Sequence, residues 1–395
     1  MSALFHPYLC GRIAAEWLIN MNEKEMTPRE RVLRALNFQE TDRCPRDLGG
    51  TNNSSIHIDA YRALLSHMHM EDPGMTWMNY GQQLVRPGEA VLDRLGIDTR
   101  GVYPSLFAPV GGEPPALMRD KWGIEWKYNP GGHYYDAVNF PLADAADMDA
   151  VRTYPFPEAR ELLKLDGVAD YAERLHRQNR YASVGYFGSS IFMQAQLLRG
   201  YAQLFEDMLL DEELFVLLMQ RILQVRLGLA ELFLDTCGRW LDVVVIADDI
   251  ASQNGPLFSP ELYRRLVRPF TKALIDGIRL RTDARILYHS CGAVAGFLDD
   301  FAAIGIDAVN PVQVSAEGMG DIAALKAGYH GRLTFWGGID TQSLLPAGTP
   351  EQVREQTAFT CRTMGAGGGY VLCASHNLHG DIPSENITAM YEAGI

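Results

Sequence analysis

Val243-Val244-Val245-Ile246-Ala247-Asp248-Asp249 is a short, wholly apolar run, rich in β-branched side chains, that ends in two carboxylates. A run of this length and type predicts a strand buried on both faces, as in a parallel sheet covered by helices. Seven more short apolar or β-branched stretches lie on either side of it, at 44–49, 97–102, 181–187, 285–289, 308–312, 333–337 and 370–375. Helix-like segments separate most of them. Thr27-Pro28-Arg29-Glu30 combines an N-cap, a proline at the first helical position and a capping-box glutamate. Ser259-Pro260-Glu261-Leu262 opens a helix running towards Leu280, Thr349-Pro350-Glu351-Gln352 opens another, and 384–391 closes the chain. Eight strands alternating with helices predict an α/β fold, a (β/α)8 TIM barrel.

One stretch breaks the alternation. Residues 120–127 and 133–139 are rich in Trp, Tyr and β-formers and flank Asn129-Pro130-Gly131-Gly132, which predicts an inserted β-hairpin. The expected organisation is an N-terminal helical extension over 1–25 and a single barrel over 26–395, with an insertion at about 105–165.

The chain has 395 residues, enough to bury a large core without disulfide staples. Its 47% hydrophobic and 21% charged residues are those of a globular protein, which excludes wholesale disorder. A net charge of −14 repels phosphate backbones and argues against a nucleic-acid partner, while a small anionic substrate stays compatible if a local basic pocket exists. Six scattered cysteines do not form a disulfide framework and point to a reducing cytoplasm. No apolar run reaches the ~18 residues of a membrane span. Residues 1–18 include Glu16 and begin without a basic cluster, so they make a poor secretory signal.

In such a barrel the active site gathers at the carboxyl ends of the strands. Those ends are read as Asp47, Asp98, Tyr186, Asp248 and Asp249, His289 and Cys291, Asn310, Asp340, and Cys373 with His376 and His379. His289-Ser290-Cys291-Gly292 is the sharpest signal. Alternating side chains put His289 and Cys291 on one side of an extended segment, and Zn²⁺ accepts imidazole and thiolate together. A third ligand must come from far along the chain, from Cys373 or His376; His379 is expected beside the site or at the surface. Asp248 and Asp249 leave a buried strand and are candidates for general acid–base work, for a metal or for substrate positioning, unless one merely caps the next turn. Gly337-Gly338-Ile339-Asp340 allows close approach of a ligand to the backbone, or is a plain turn with Asp340 as helix cap. Tyr186, Asn310, Gly337 and Asp340 are the candidate substrate-binding residues, and the polar loop 52–57 is placed to cover the mouth.

Taken in order, several of these segments resemble the uroporphyrinogen decarboxylase superfamily. They are Met26-Thr27-Pro28-Arg29-Glu30-Arg31, Asp42-Arg43-Cys44-Pro45, Ile246-Ala247-Asp248-Asp249, Ser259-Pro260-Glu261-Leu262-Tyr263, His289-Ser290-Cys291-Gly292, Gly337-Gly338-Ile339-Asp340 and Pro383-Ser384-Glu385-Asn386-Ile387. The resemblance runs from about residue 26 to the end and implies a (β/α)8 barrel. The decarboxylases of the superfamily use a metal-free pocket with a key Asp and an arginine-rich amino-terminal motif for substrate carboxylates. The matching segment here, Pro45-Arg46-Asp47-Leu48-Gly49-Gly50-Thr51, has a single Arg, which disfavours a porphyrin substrate. The corrinoid-linked methyltransferases of the superfamily hold Zn²⁺ with a His-x-Cys pair and a later Cys. His289 and Cys291 match the pair; the later Cys falls on His376, with Cys373 three residues before it. The resemblance therefore implies zinc-dependent methyl transfer between a small methylated compound, or a thiol or pterin acceptor, and a corrinoid carried by a partner protein, with O-demethylation as one example. It also implies a homodimer among the family's assemblies. A metal-free decarboxylase or lyase working through Asp248 or Asp249, and a non-catalytic binding barrel, are the competing readings.

Overall fold

The computed structural model describes residues 26–104, 117–129, 132 and 134–394. The expected extension 1–25, the start of the insertion at 105–116 and part of the hairpin turn, including Pro130, Gly131 and His133, lie outside the described residues.

Helix α1 (Pro28–Leu36) begins at Thr27, whose side chain accepts from Glu30 N–H while the Glu30 carboxylate accepts from Thr27 N–H, the capping box anticipated. A small antiparallel sheet follows, made of β1 (Ile56–His57), β2 (Thr76–Asn79) and β3 (Leu84–Arg86), with α2 (Ile58–His67) between its first two strands. The first barrel strand is β4 (Thr99–Val102). The insertion is a three-stranded antiparallel sheet, β5 (Leu117–Arg119), β6 (Glu125–Tyr128) and β7 (Tyr135–Asn139), so the expected hairpin gains a third strand. Asp120 makes that third strand: its carboxylate accepts from Trp122 N–H, Ile124 N–H and the Trp126 indole, folding β5 back onto β6.

The chain then alternates regularly. β8 (Ala182–Tyr186) leads to α3 (Phe192–Arg199) and the long α4 (Glu212–Cys237). β9 (Val243–Ala247) is followed by a short hairpin, β10 (Ala251–Ser252) and β11 (Gly255–Pro256), and by α5 (Arg268–Arg279). The helix expected from Ser259 is interrupted by a π turn over Tyr263–Val267 before α5. β12 (Arg285–His289), β13 (Ala308–Asn310), β14 (Thr334–Trp336), α6 (Pro350–Gly365), β15 (Tyr370–Val371) and α7 (Ser384–Ala393) complete the described chain.

Seven parallel strands run in the order β15-β14-β13-β12-β9-β8-β4. The eighth place is taken by Pro45-Arg46-Asp47. Leu372 N–H donates to the Pro45 carbonyl at 2.7 Å, Asp47 N–H to Leu372 at 2.9 Å, and Asp98 N–H to Arg46 at 2.9 Å, which joins the two edges. The expected strand at 44–49 is thus a single bridge. Pro45 has no N–H to give, and Asp47 turns its carboxylate to Thr99 and the Trp336 indole.

Inward residues alternate along each strand: Ala182 and Val184, Val243 and Val245, Leu287, Ala308, Trp336, Val371 and Cys373 fill the barrel interior. Val32 and Leu36 of α1 belong to the same cluster and plug its amino end. Each such fully buried aliphatic side chain stabilises the fold by roughly 1.5–3 kcal/mol. Asp98 precedes β4 instead of ending it, so it lies at the amino end and is no mouth residue. Its carboxylate is tied to Arg31 at 2.6 Å, Arg43 at 2.7 Å and Arg46 N–H at 2.7 Å.

Candidate metal centre at the barrel mouth

His289 is the last residue of β12, and Cys291 follows two residues beyond. The Cys291 sulfur lies 3.4 Å from His289 Nε2, and one ligand atom each of His289, Cys291 and His376 fall within 4.8 Å of one another. A tetrahedral zinc with Zn–N near 2.0 Å and Zn–S near 2.3 Å holds its ligand atoms roughly 3.5 Å apart, which is the His289–Cys291 spacing. The donor set of two imidazoles and a thiol is one that zinc accepts.

The surroundings fix the donors. Asn310 Nδ2 donates to the Trp336 carbonyl at 3.1 Å, which leaves its Oδ1 facing His289 Nδ1 at 2.6 Å. Nδ1 therefore carries the proton and Nε2 keeps a lone pair, to which Asn53 Nδ2 donates at 3.0 Å. Burial pushes the Cys291 thiol well up, and Asp249 adds to the shift, so a thiolate there calls for a cation. Burial, reinforced by His289, lowers His376 to about 4 and keeps it the neutral imidazole a metal needs.

The sheet places His289 and Cys291. Asp248 N–H donates to the His289 carbonyl and Ser290 N–H to the Asn310 carbonyl, both at 2.9 Å, so strand pairing runs right up to the candidate pair. Gly292 turns the chain at φ 89, where a Cβ would lie 2.5 Å from the Ser252 carbonyl oxygen, and its N–H donates to Gln313 Oε1 at 2.8 Å. His376 sits in the loop after β15, held where Ser375 N–H donates to the Ile339 carbonyl and Leu378 N–H to Ser55. Tyr134, from the inserted sheet, reaches over this loop. Its hydroxyl is 2.6 Å from His379 Nε2 and 3.5 Å from His376 Nδ1, and burial raises the phenol to about 12.

The two adjacent carboxylates part company. Asp248 is buried and accepts from Ile191 and Phe192 N–H at 3.0 Å and Met193 N–H at 2.8 Å, where α3 begins. Burial raises it to about 6 while those amides and Arg226 oppose. Asp249 faces the His289–Cys291 pair: Oδ1 accepts from Cys291 N–H at 2.9 Å and lies 3.8 Å from His289 Nε2. Cys373 points into the barrel core below the trio, 4.0 Å from Asn310 Nδ2, so of the two alternatives for a third ligand only His376 stands with the pair.

The expected substrate-binding residues separate too. Tyr186 lines the inner wall of the mouth beside Leu84, Met78 and Tyr103. Asn310, 1% exposed, is spent on orienting His289. Gly337 donates its N–H to the Val371 carbonyl at 2.9 Å, so that amide is already spent on the sheet. A Cβ there would stand 3.3 Å from both Asn310 Nδ2 and Cys373 Sγ. Asp340 caps the next turn, accepting from Gln342, Ser343 and Leu344 N–H; burial opposes, but these bonds and the Ser343 hydroxyl hold it below the usual carboxylate range. Asn53 and Tyr134 were not singled out from the sequence. Asn53 lay in a loop already placed over the mouth, whereas nothing local marked Tyr134.

A closed parallel barrel with a His-x-Cys pair and a distant His at its carboxyl end defines a metal-capable (β/α)8 barrel. Comparison with known proteins places it more closely: the uroporphyrinogen decarboxylase (URO-D) family matches over residues 117–394, and the chain belongs to that family. It is 22% identical over 370 residues to methylcobamide:CoM methyltransferase MtbA of Methanosarcina mazei, covering 93% of this chain and 97% of that protein. The Methanosarcina acetivorans protein of the same name matches equally. A uroporphyrinogen decarboxylase of Psychromonas ingrahamii is 25% identical over 134 residues, 33% of this chain and 36% of the decarboxylase. A solved methyltransferase from Methanosarcina mazei shares the fold with a TM-score of 0.62 at 16% identity, over 93% of this chain and 98% of that one. No helix among the described residues is long and apolar enough to cross a membrane.

Proposed function

We propose that the protein is a zinc-dependent methyltransferase. It moves a methyl group between a small methylated compound, or a thiol or pterin acceptor, and a corrinoid carried by a partner protein. The observation that carries this reading is the convergence of His289, Cys291 and His376, with Asn310 setting the tautomer of His289. The similarity to methylcobamide:CoM methyltransferases over nearly the whole chain supports the corrinoid half of it.

His289 Nε2, the Cys291 thiolate and His376 would hold the metal. When bound, zinc supplies Lewis acidity towards a substrate sulfur or oxygen. The chain's own residues do the rest. Asp249 fixes the Cys291 backbone and sets a carboxylate beside the ligands; Asn53 covers His289 from the mouth; Tyr134 closes over His376 and His379. Asp248 serves as a positioning residue, holding α3 against β9. A porphyrin decarboxylase is disfavoured further by Arg46, the one arginine of segment 45–51. It turns to the amino end and donates to the Leu95 carbonyl at 3.2 Å, so that segment brings no guanidinium to the mouth.

Metal content of the purified protein, measured by mass spectrometry, tests the reading. About one zinc per chain is expected, lost in His289→Ala and in Cys291→Ala together with methyl transfer. A Cys291→Ala protein that keeps both metal and turnover would overturn it.

A further inference from the structure

The barrel closes on a narrow joint. β9 and β12 pair over five residues, whereas β15 is continued into the segment 45–47 by a single bridge, Arg46 opposite Leu372. Two cysteines flank that seam. Cys44 stands directly before Pro45, and Cys361 lies on α6, the helix that leads into β15. The Cys44 thiol donates to the Cys361 carbonyl at 3.6 Å. Gly365 lies one helical turn beyond Cys361, on the same face of α6, and a Cβ there would stand 2.6 Å from Cys44 Sγ. The Cys44 sulfur is therefore seated against the last turn of α6, where glycine leaves room for it and the Cys361 thiol is its side-chain hydrogen-bond partner.

A buried free cysteine is usually no more than a small apolar side chain. Cys237 and Cys373 fit that description. Both are fully shielded, and burial pushes the Cys237 thiol up to about 12 and the Cys373 thiol well above its ordinary value. Cys44 differs in three ways. A second thiol lies against it. Its residue is 8% exposed and Cys361 is 7% exposed, so the pair is shielded without being sealed. The hydrogen bond from Cys361 holds its thiol below the ordinary value; burial opposes, while Arg43, Arg46 and Lys326 add to the lowering. The same bond, with burial, pushes Cys361 up. A sulfur that ionises readily beside one that stays protonated is an attacking group with its resolving partner in place.

We propose that Cys44 and Cys361 are a redox-active dithiol, which a peroxide converts into a disulfide that clamps α6 to the closing seam of the barrel. The Cys44 thiolate attacks one peroxide oxygen and the O–O bond breaks. A sulfenic acid forms on Cys44, and the departing hydroxide takes up the proton that Cys44 gave up and leaves as water. Cys361 then attacks the Cys44 sulfur. The S–S bond forms, the S–O bond breaks, and a second water carries away the Cys361 proton. Two thiols are oxidised to one disulfide, and one hydrogen peroxide is reduced to two waters. The pair lies at the amino end, away from the ligand trio, so the inference does not rest on the metal-dependent reading.

Hydrogen peroxide added to the full-length protein, followed by alkylation of the remaining thiols, digestion and mass spectrometry, tests the pairing. The linked Cys44–Cys361 peptide should be the main disulfide, and dithiothreitol should reverse it. Cys361→Ser should stop at a sulfenic acid on Cys44, trapped by dimedone, whereas Cys44→Ser should leave Cys361 unoxidised at the same dose. The oxidised wild type should unfold about 3–8 °C above the reduced protein, a shift absent from both variants. Cys44 and Cys361 thiols that stay free while other cysteines oxidise, or that pair elsewhere, overturn the dithiol. A Cys44–Cys361 disulfide that leaves the midpoint unchanged or lowers it overturns the clamp. Should either variant fail to fold, the wild-type map and its midpoint shift still decide the question.

Discussion

The two ends of this barrel treat charge in opposite ways. At the amino end Asp98 is wholly buried, and both its oxygens are taken by Arg31, Arg43 and the Arg46 amide, while Asp42 engages the far side of Arg31. At the carboxyl end His289, Cys291 and His376 instead bring two imidazoles and a thiol within 4.8 Å of one another. A matched network holds the fold in one arrangement. Imidazole and thiol donors gathered at one point are suited instead to a ligand from outside the chain.

The largest way to break the comparison is at the matched end. Asp98→Ala leaves Arg31 and Arg43 without their shared carboxylate and should cost about 3–5 kcal/mol in denaturant unfolding. The folded protein should still bind zinc. A loss under ~1 kcal/mol would mean that the amino-end network is not structural.

A smaller effect sharpens the mouth. Asn310→Ala removes the acceptor that holds the His289 proton on Nδ1, and should weaken zinc binding about 10- to 100-fold in chelator competition. Unchanged affinity would show that the Asn310 contact does not orient a ligand.

Smallest is Asp340→Ala, at the rim, where a carboxylate near the site does amino-end work. It should lose about 1–2 kcal/mol at neutral pH with zinc content intact. Because the folded pKa lies below the unfolded one, the carboxylate's contribution is present above roughly pH 3.9 and fades as pH falls through the folded value. Stability curves for wild type and variant that stay parallel through that fall would contradict the cap.

Much of this arrangement was legible because it is local. Strand β9 and the His-x-Cys pair follow from composition and alternation over a few residues, and the capping box at Thr27 from four. The strand at 44–49 misled for a local reason as well: its apolar look hides a proline without a donor and an aspartate drawn to Thr99 and Trp336. Asp98 was misplaced because a carboxylate beside a strand reads alike at either end; only the path of the chain shows that it precedes β4.

The choice between neighbours needed three dimensions. Asp248 and Asp249 are adjacent, yet one caps α3 and the other faces Cys291, because both follow the end of β9 at Ala247, where the chain turns. Cys373 and His376 differ by three residues, and the inward register of β15 buries the first in the core. By itself the sequence determined the parallel barrel, the end at which chemistry collects and the local His-x-Cys pair, since hydrophobic periodicity and strand alternation act over a few residues. Only the tertiary structure decided that His376 completes the trio, that Asn310 sets the tautomer of His289 and that Tyr134 reaches over His376. Those contacts join residues tens to hundreds of positions apart, and barrel closure, strand register and loop path bring them together.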